Sequence, residues 1–167
     1  MAAGQRGARG QVSFERERGV YDLQVSGDVA HVVAVVGGEP GRTAGIQRVV
    51  RTLADEGIPI FLIKLHRTAV SFAVDGGRVP EVERCLQAIG VDVRVRRDLA
   101  LVSVVASSMR DLTGVMVSIA EALHRAGARL FGVGDSHNSV QCLIDGAHVE
   151  AARQELRRTF HLESPHA

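Results

Sequence analysis

Asp28-Val29-Ala30-His31-Val32-Val33-Ala34-Val35 returns seventy residues later as Asp98-Leu99-Ala100-Leu101-Val102-Ser103-Val104-Val105. At the same offset Thr43, Leu53, Gly57, Phe61, Val70, Asp75, Gly76 and Leu86 fall on Thr113, Leu123, Gly127, Phe131, Val140, Asp145, Gly146 and Leu156. With Asp28, Ala30, Val32 and Val35, twelve identities share one ungapped register. Average residue usage would supply about four over such a span. The period is too long for a solenoid unit and right for a duplicated small domain.

Each repeat carries the same order of elements. In the first, the β-branched run Ala30–Val36 reads as a buried strand. The turn Gly37-Gly38-Glu39-Pro40-Gly41 follows, and Thr43 is a candidate N-cap for a helix through Glu56. That helix turns Ile46, Val49, Val50 and Leu53 to one side, and Gly57 stands where a left-handed C-terminal residue is needed. Ile58–Leu65 and Ala69–Val74 read as a hairpin around His66-Arg67-Thr68. Helix Val79–Ile89 and strand Val91–Val95 complete a β-α-β-β-α-β unit. The second repeat runs strand Leu99–Ala106, helix Thr113–Ala126, strands Ala128–Val133 and Ser139–Ile144, and helix Ala147–Phe160. It lacks a last strand, and a missing strand would leave an open edge and uncovered apolar surface. The short strand Gly19–Val25, ahead of the first repeat, supplies the substitute.

The fold class is therefore α+β, with two ferredoxin-like βαββαβ modules and the first inserted into the second. The boundaries are 28–97 for the first module and 18–27 plus 98–162 for the second. Residues 1–17, rich in Gly and Arg, predict a disordered arm, with a basic docking tail as the alternative; 163–167 reads as a tail. Each sheet has one bare face, so the modules either cover one another or continue their sheets across modules and subunits. A homodimer is the corresponding expectation.

Composition narrows the function classes. Aromatic residues make up 4% of the 167, with no Trp and one Tyr, which argues against the stacking platforms of single-strand nucleic-acid binders. A net charge of +1 gives no general pull toward nucleic acid or an anionic membrane. No apolar run approaches the roughly 20 residues needed to span a bilayer, and Met1–Gly10 lacks the apolar stretch of a signal peptide. The expected location is cytoplasmic. Cys85 and Cys142 are expected as buried free thiols.

Catalytic constellations are not in evidence. Gly37–Gly41 lacks the Gly-Lys-Ser/Thr ending of a phosphate loop. The seven histidines have no zinc-site spacing, so neither metal nor cofactor is expected. Asp135-Ser136-His137 places acid, hydroxyl and imidazole side by side, but neighbours on a strand or tight loop point apart. Phe61 and Phe131 occupy equivalent positions, as packing residues or as walls of a ligand pocket. Two equivalent loops remain, Gly37–Gly45 and Ser107–Gly114, each a small-residue opening to a helix N-terminus. Free N–H groups and a positive dipole end suit an amino-acid carboxylate there, unless the loops are ordinary strand-to-helix turns.

The element order, the duplication and several residue runs together resemble the paired ACT domains of the aspartokinase regulatory region, above all its separate regulatory (beta) subunit. The runs are Leu99-Ala100-Leu101-Val102-Ser103-Val104-Val105, Met109, Gly114-Val115, Ala122-Leu123, Ser136, and Leu156 with Phe160 and Leu162. Leu53–Ile58 and Ser71–Val74 match in the first module. The resemblance implies a non-catalytic protein that senses an amino acid, such as lysine or threonine, or a related metabolite at module or subunit interfaces. The implied ligand-binding residues are Gly37, Gly38, Glu39, Thr43, Ala44, Gly45, Ile46 and Phe61 in the first module. In the second they are Ser107, Ser108, Met109, Thr113, Gly114, Val115, Asp135 and Ser136. Phe61 and Phe131 stand where that family typically carries an acidic residue for an effector ammonium, which leaves Glu39 or Asp135 to supply the charge, or an apolar ligand, or none. An aspartokinase catalytic chain or other biosynthetic enzyme is the implied partner. The alternative is a ligand-blind subunit acting only by contact with such an enzyme.

Overall fold

The computed structural model describes residues 19–109 and 112–162. The expectations for residues 1–17 and 163–167 fall outside them. Within the described residues the strands are β1 Val20–Val35, β2 Phe61–Leu65, β3 Ala69–Asp75, β4 Val93–Ala106, β5 Leu130–Asp135 and β6 Ser139–Asp145. The helices are α1 Arg42–Asp55, α2 Val79–Ala88, α3 Val115–Arg125 and α4 Val149–Thr159. One six-stranded sheet runs in the order β2-β3-β1-β4-β6-β5, every pairing antiparallel.

That order contains the ferredoxin-like pattern twice. β2, β3, the C-terminal part of β1 and the N-terminal part of β4 form the first half. β5, β6, the C-terminal part of β4 and the N-terminal part of β1 form the second. The strand ahead of the first repeat thus completes the second, as the element count requires. One expectation is corrected. Gly19–Val25 and Ala30–Val36 are not separate strands, nor are Val91–Val95 and Leu99–Ala106. Each pair is one long strand bent at a repeat-equivalent aspartate, Asp28 (φ 50°) and Asp98 (φ 58°). The ladder between β1 and β4 holds on both sides of the bend, with Val25 opposite Val102 and Val32 opposite Val95.

Three apolar clusters follow from strand alternation. On one side of the first half, Ala30, Val32, Ala34, Val70, Phe72 and Val74 meet Val49 and Leu53 of α1 and Val82 and Leu86 of α2. The second half repeats this with Ala100, Val102, Val104, Val140, Cys142 and Ile144 under Ile119 and Leu123 of α3 and Leu156 of α4. The helix-free faces share a third cluster, Val29, Ala73, Leu99, Leu101 and Leu143, with Phe61, Leu62 and Phe131 packed against it. So the two alternatives for the bare faces combine: the sheets are continuous and they also converge. The sheet curls until its edges meet. A Cβ on Gly134 of β5 would press on Leu62 Cδ2 of β2 and push the end of that side chain aside.

All four helices end in the same way. The third residue past the helix donates to the carbonyl five back: Ile58 to Leu53, Val91 to Leu86, Ala128 to Leu123 and Leu162 to Arg157. Gly57, Gly90 and Gly127 take the left-handed position, and in α4 His161 takes it, at φ 53°. His161 and Leu162 are therefore the terminus of α4.

Candidate functional site

Both loops that follow the first strand of a half are fastened to the neighbouring hairpin turn by the same backbone bond. Val36 N–H donates to Thr68 O at 2.9 Å, and its equivalent Ala106 N–H donates to Asn138 O at 2.9 Å. Beyond that bond the two loops diverge.

In the second half, Met109 N–H reaches His137 O at 2.8 Å, which holds the loop against the β5–β6 turn. Leu112 and Thr113 are non-helical, and Gly114 caps α3 in the left-handed conformation (φ 76°) with no side-chain cap on the helix. A cavity of about 450 Å³ opens there, within the range of small-molecule sites of about 300–1,000 Å³. Its lining is Met109, Leu112, Gly114, Val115, Met116, Val117, Val133, Asp135 and Val140. Among the described residues the lining is apolar apart from Asp135 and the backbone. Met116 and Val117 are 41% and 60% exposed, large apolar groups standing in solvent at the mouth.

In the first half the helix begins three residues earlier in the repeat: Arg42 is the equivalent of Leu112, whereas α3 starts at Val115. The N-cap of α1 is Gly41, which corrects the assignment to Thr43; that residue lies inside the first turn, with no side-chain cap on the helix. Arg42 Nε donates to His66 O at 2.9 Å and ties the extra turn to the β2–β3 turn. Gly45 is pressed against the end of β1, where a Cβ would sit 2.8 Å from Val36 O. Leu112 and Gly114, which line the cavity ahead of α3, have Arg42 and Ala44 as their repeat equivalents, and these are wound into α1.

Of the residues singled out by sequence, the structure brings Met109, Gly114, Val115 and Asp135 together around this cavity. Ser107 and Thr113 are exposed and Ser108 is half-buried, and none of the three lines it. Ser136 Oγ is engaged within its own turn, 3.1 Å from Asn138 Oδ1 and 2.8 Å from Ser139 Oγ, and it accepts from Ser139 N–H at 3.1 Å. In the first half Gly37 N–H donates to Thr68 O at 3.1 Å, and Gly38, Glu39, Thr43 and Ala44 are exposed. Ile46 packs against the first core and Phe61 against the cluster between the halves. Leu112, Met116, Val117, Val133 and Val140 were not singled out. Val133 was within reach of the sequence, since it stands two residues from Asp135 and shares its strand face.

The remaining chemistry-bearing groups are occupied structurally. Burial holds the Cys142 thiol up at about 11 and also raises Cys85, so neither offers a thiolate at neutral pH. Burial pulls the Asp145 carboxyl upward, but hydrogen bonds from His148 and from Arg129 N–H (2.6 Å) outweigh it and leave the pKa lowered. Among the described residues no three His, Cys, Asp or Glu side chains converge on a metal position, and no helix is long and apolar enough to cross a membrane.

This architecture has counterparts. The ligand-free regulatory subunit of aspartate kinase from Thermus thermophilus superposes with a TM-score of 0.75 at 22% identity, covering 86% of this chain and 99% of that one. A structure of aspartokinase alpha and beta subunits gives 0.75 at 25% identity, again over 86% and 99%. The chain resembles the aspartokinase regulatory subunit. Residues 94–158, β4 through α4, match the ACT domain family model, and this is the half that holds the open cavity. Aspartokinase 1 of Bacillus subtilis is 26% identical over 147 residues, 86% of this chain and 36% of that protein. The chain thus spans about a third of that enzyme, in keeping with likeness to a regulatory part.

Proposed function

We propose that this ACT-domain chain is a non-catalytic regulator that senses an amino acid, with residues 28–97 as one module and 18–27 plus 98–162 as the other. The observation that carries the reading is the second-half cavity, where an uncapped helix start and Asp135 adjoin a space that is otherwise apolar among the described residues. The ligand's α-carboxylate takes the free N–H groups at the start of α3, where the helix dipole favours negative charge. Asp135 takes the ammonium, which would be costly to bury unpaired. Met109, Leu112, Val133 and Val140 receive the side chain, so the favoured effector is an apolar amino acid or a related metabolite. The regulated partner is an aspartokinase catalytic chain or a comparable biosynthetic enzyme. Exposed Ile63, Leu65 and Leu130 on the edge strands support a homodimer, which light scattering reads directly.

A thermal-shift screen of the common amino acids tests the sensing role. A ligand at 100 times its Kd stabilises the native state by about 2.7 kcal/mol, several degrees in Tm for a domain of this size. At least one apolar amino acid is expected to raise Tm. No shift with any of them at millimolar concentration rejects the reading.

A further inference from the structure

The helix-free face of the first half carries charge that the fold does not require. His31 on β1 lies opposite Ala73 of β3 on one side and Arg96 of β4 on the other. Arg94 sits two residues before Arg96, opposite Val33 and on the same face. From β2, Lys64 pairs opposite Ser71, and His66 Nε2 lies 2.7 Å from the buried Ser71 Oγ. Arg96 and Arg129 both stand over the Phe131 ring, 4.7 and 5.3 Å from its centroid. Among the described residues none of Lys64, Arg94, Arg96 or Arg129 is paired with a carboxylate.

The second repeat serves as an internal control. His31, Val33, Lys64, His66 and Ser71 correspond to Leu101, Ser103, Gly134, Ser136 and Gln141, a set without charge. The same strand and turn positions are therefore filled there without cations. Gathering like charges on one face costs stability through self-repulsion unless an opposite charge arrives.

We propose that the helix-free face of the first half is a docking surface for an acidic segment of a partner protein. The width favours a polypeptide over a single small anion. From Lys64 on β2 to Arg96 on β4 is three strand spacings, about 14 Å at ~4.8 Å each, more than one phosphate group bridges. A second copy of this face would bring only further cations. The groups facing His31 from the packed elements are Lys64 of β2, His66 of the β2–β3 turn and Arg96 of β4, with uncharged Ala73 on β3. Burial and these cations lower its pKa, so it is largely neutral in the free protein at neutral pH. A docked carboxylate reverses the second effect, and docking takes up a proton as pH falls.

The test is fluorescence anisotropy of a labelled hexaglutamate peptide with the full chain. Saturable binding that weakens with salt is expected, and the double variant Lys64→Gln/Arg94→Gln is expected to bind about tenfold more weakly. Those two residues are chosen because both are exposed and, among the described residues, neither side chain is hydrogen-bonded or ion-paired, so the variant is expected to fold; circular dichroism verifies it. Binding is expected to tighten on going from neutral to mildly acidic pH in the parent and not in His31→Leu. Absence of saturable peptide binding overturns the proposal. So does undiminished binding by the double variant, or inorganic diphosphate binding as tightly as the peptide. A gain at low pH that survives His31→Leu removes His31 from the surface.

Discussion

The loop after β1 and the loop after β4 leave the sheet through the same backbone bond and then reach their helices differently. In the first half α1 starts at Arg42, one turn early, and Gly45 closes onto Val36. In the second half α3 waits until Val115, and the delay opens a cavity over Val133 and Val140. The helix-free faces diverge as well: His31, Lys64 and His66 of the first half have Leu101, Gly134 and Ser136 as their equivalents. Meanwhile the cores repeat almost residue for residue. Duplication preserved what the fold needs, the strand alternation and the helix faces. It left free the two places a partner or ligand can reach, the helix start and the bare sheet face.

The sharpest way to break this comparison is through the cores. Leu53 and Leu123 are repeat equivalents, 1% and 3% exposed. Leu53→Ala and Leu123→Ala are each expected to cost about 2–5 kcal/mol. Because β1 and β4 run through both halves, either variant should unfold in one transition by calorimetry. Two separated transitions would show that the halves are independent domains joined only by sequence. Next in size is the meeting of the sheet edges. Gly134→Ala forces Leu62 aside and is expected to cost about 1–3 kcal/mol in urea unfolding. Combining it with Leu62→Ala should recover most of that loss, and strict additivity would place the two strands apart.

The helix ends provide a smaller effect of opposite sign. His161→Gly relieves a left-handed residue and should stabilise by about 1 kcal/mol, whereas Gly57→Ala should destabilise by a similar amount. The smallest expected effect concerns pH. The folded pKa of His31 is depressed by burial and by the cations beside it, so the unfolded chain binds the proton more readily. Its contribution to stability is full above the ordinary histidine value and is lost as pH falls through the depressed folded one. His31→Leu, which installs the second half's residue, should flatten that part of the stability profile in denaturant titrations.

The repeat made the fold legible, because buried alternation in Ala30-Val32-Ala34 and Ala100-Val102-Val104 leaves little freedom for another assignment. The fused strands were not legible. Gly27-Asp28 and Arg97-Asp98 look locally like strand breaks, and only the β1–β4 ladder, pairing residues on both sides of the bend, carries the strands through. The candidate site was legible to the extent that repeat position sufficed, which gave Met109, Gly114, Val115 and Asp135. It failed where the first residue of a helix decides what faces the opening. Thr43 carries the side chain of an N-cap, but the chain is already helical at Arg42, and a shift of one residue turns the exposed face by about 100°. For the same reason Met116 and Val117 read as helix-face residues and not as the mouth of a cavity.

The central claim is that one half senses and the other does not. Titration calorimetry with the amino acid that gives the largest thermal shift tests it in the parent, Asp135→Asn and Glu39→Gln. The account predicts one site per chain, a loss of about tenfold or more in affinity for Asp135→Asn, in the range for unpairing a desolvated charge, and no change for Glu39→Gln. Loss of binding in Glu39→Gln with Asp135→Asn unaffected would contradict it and move the site to the first half.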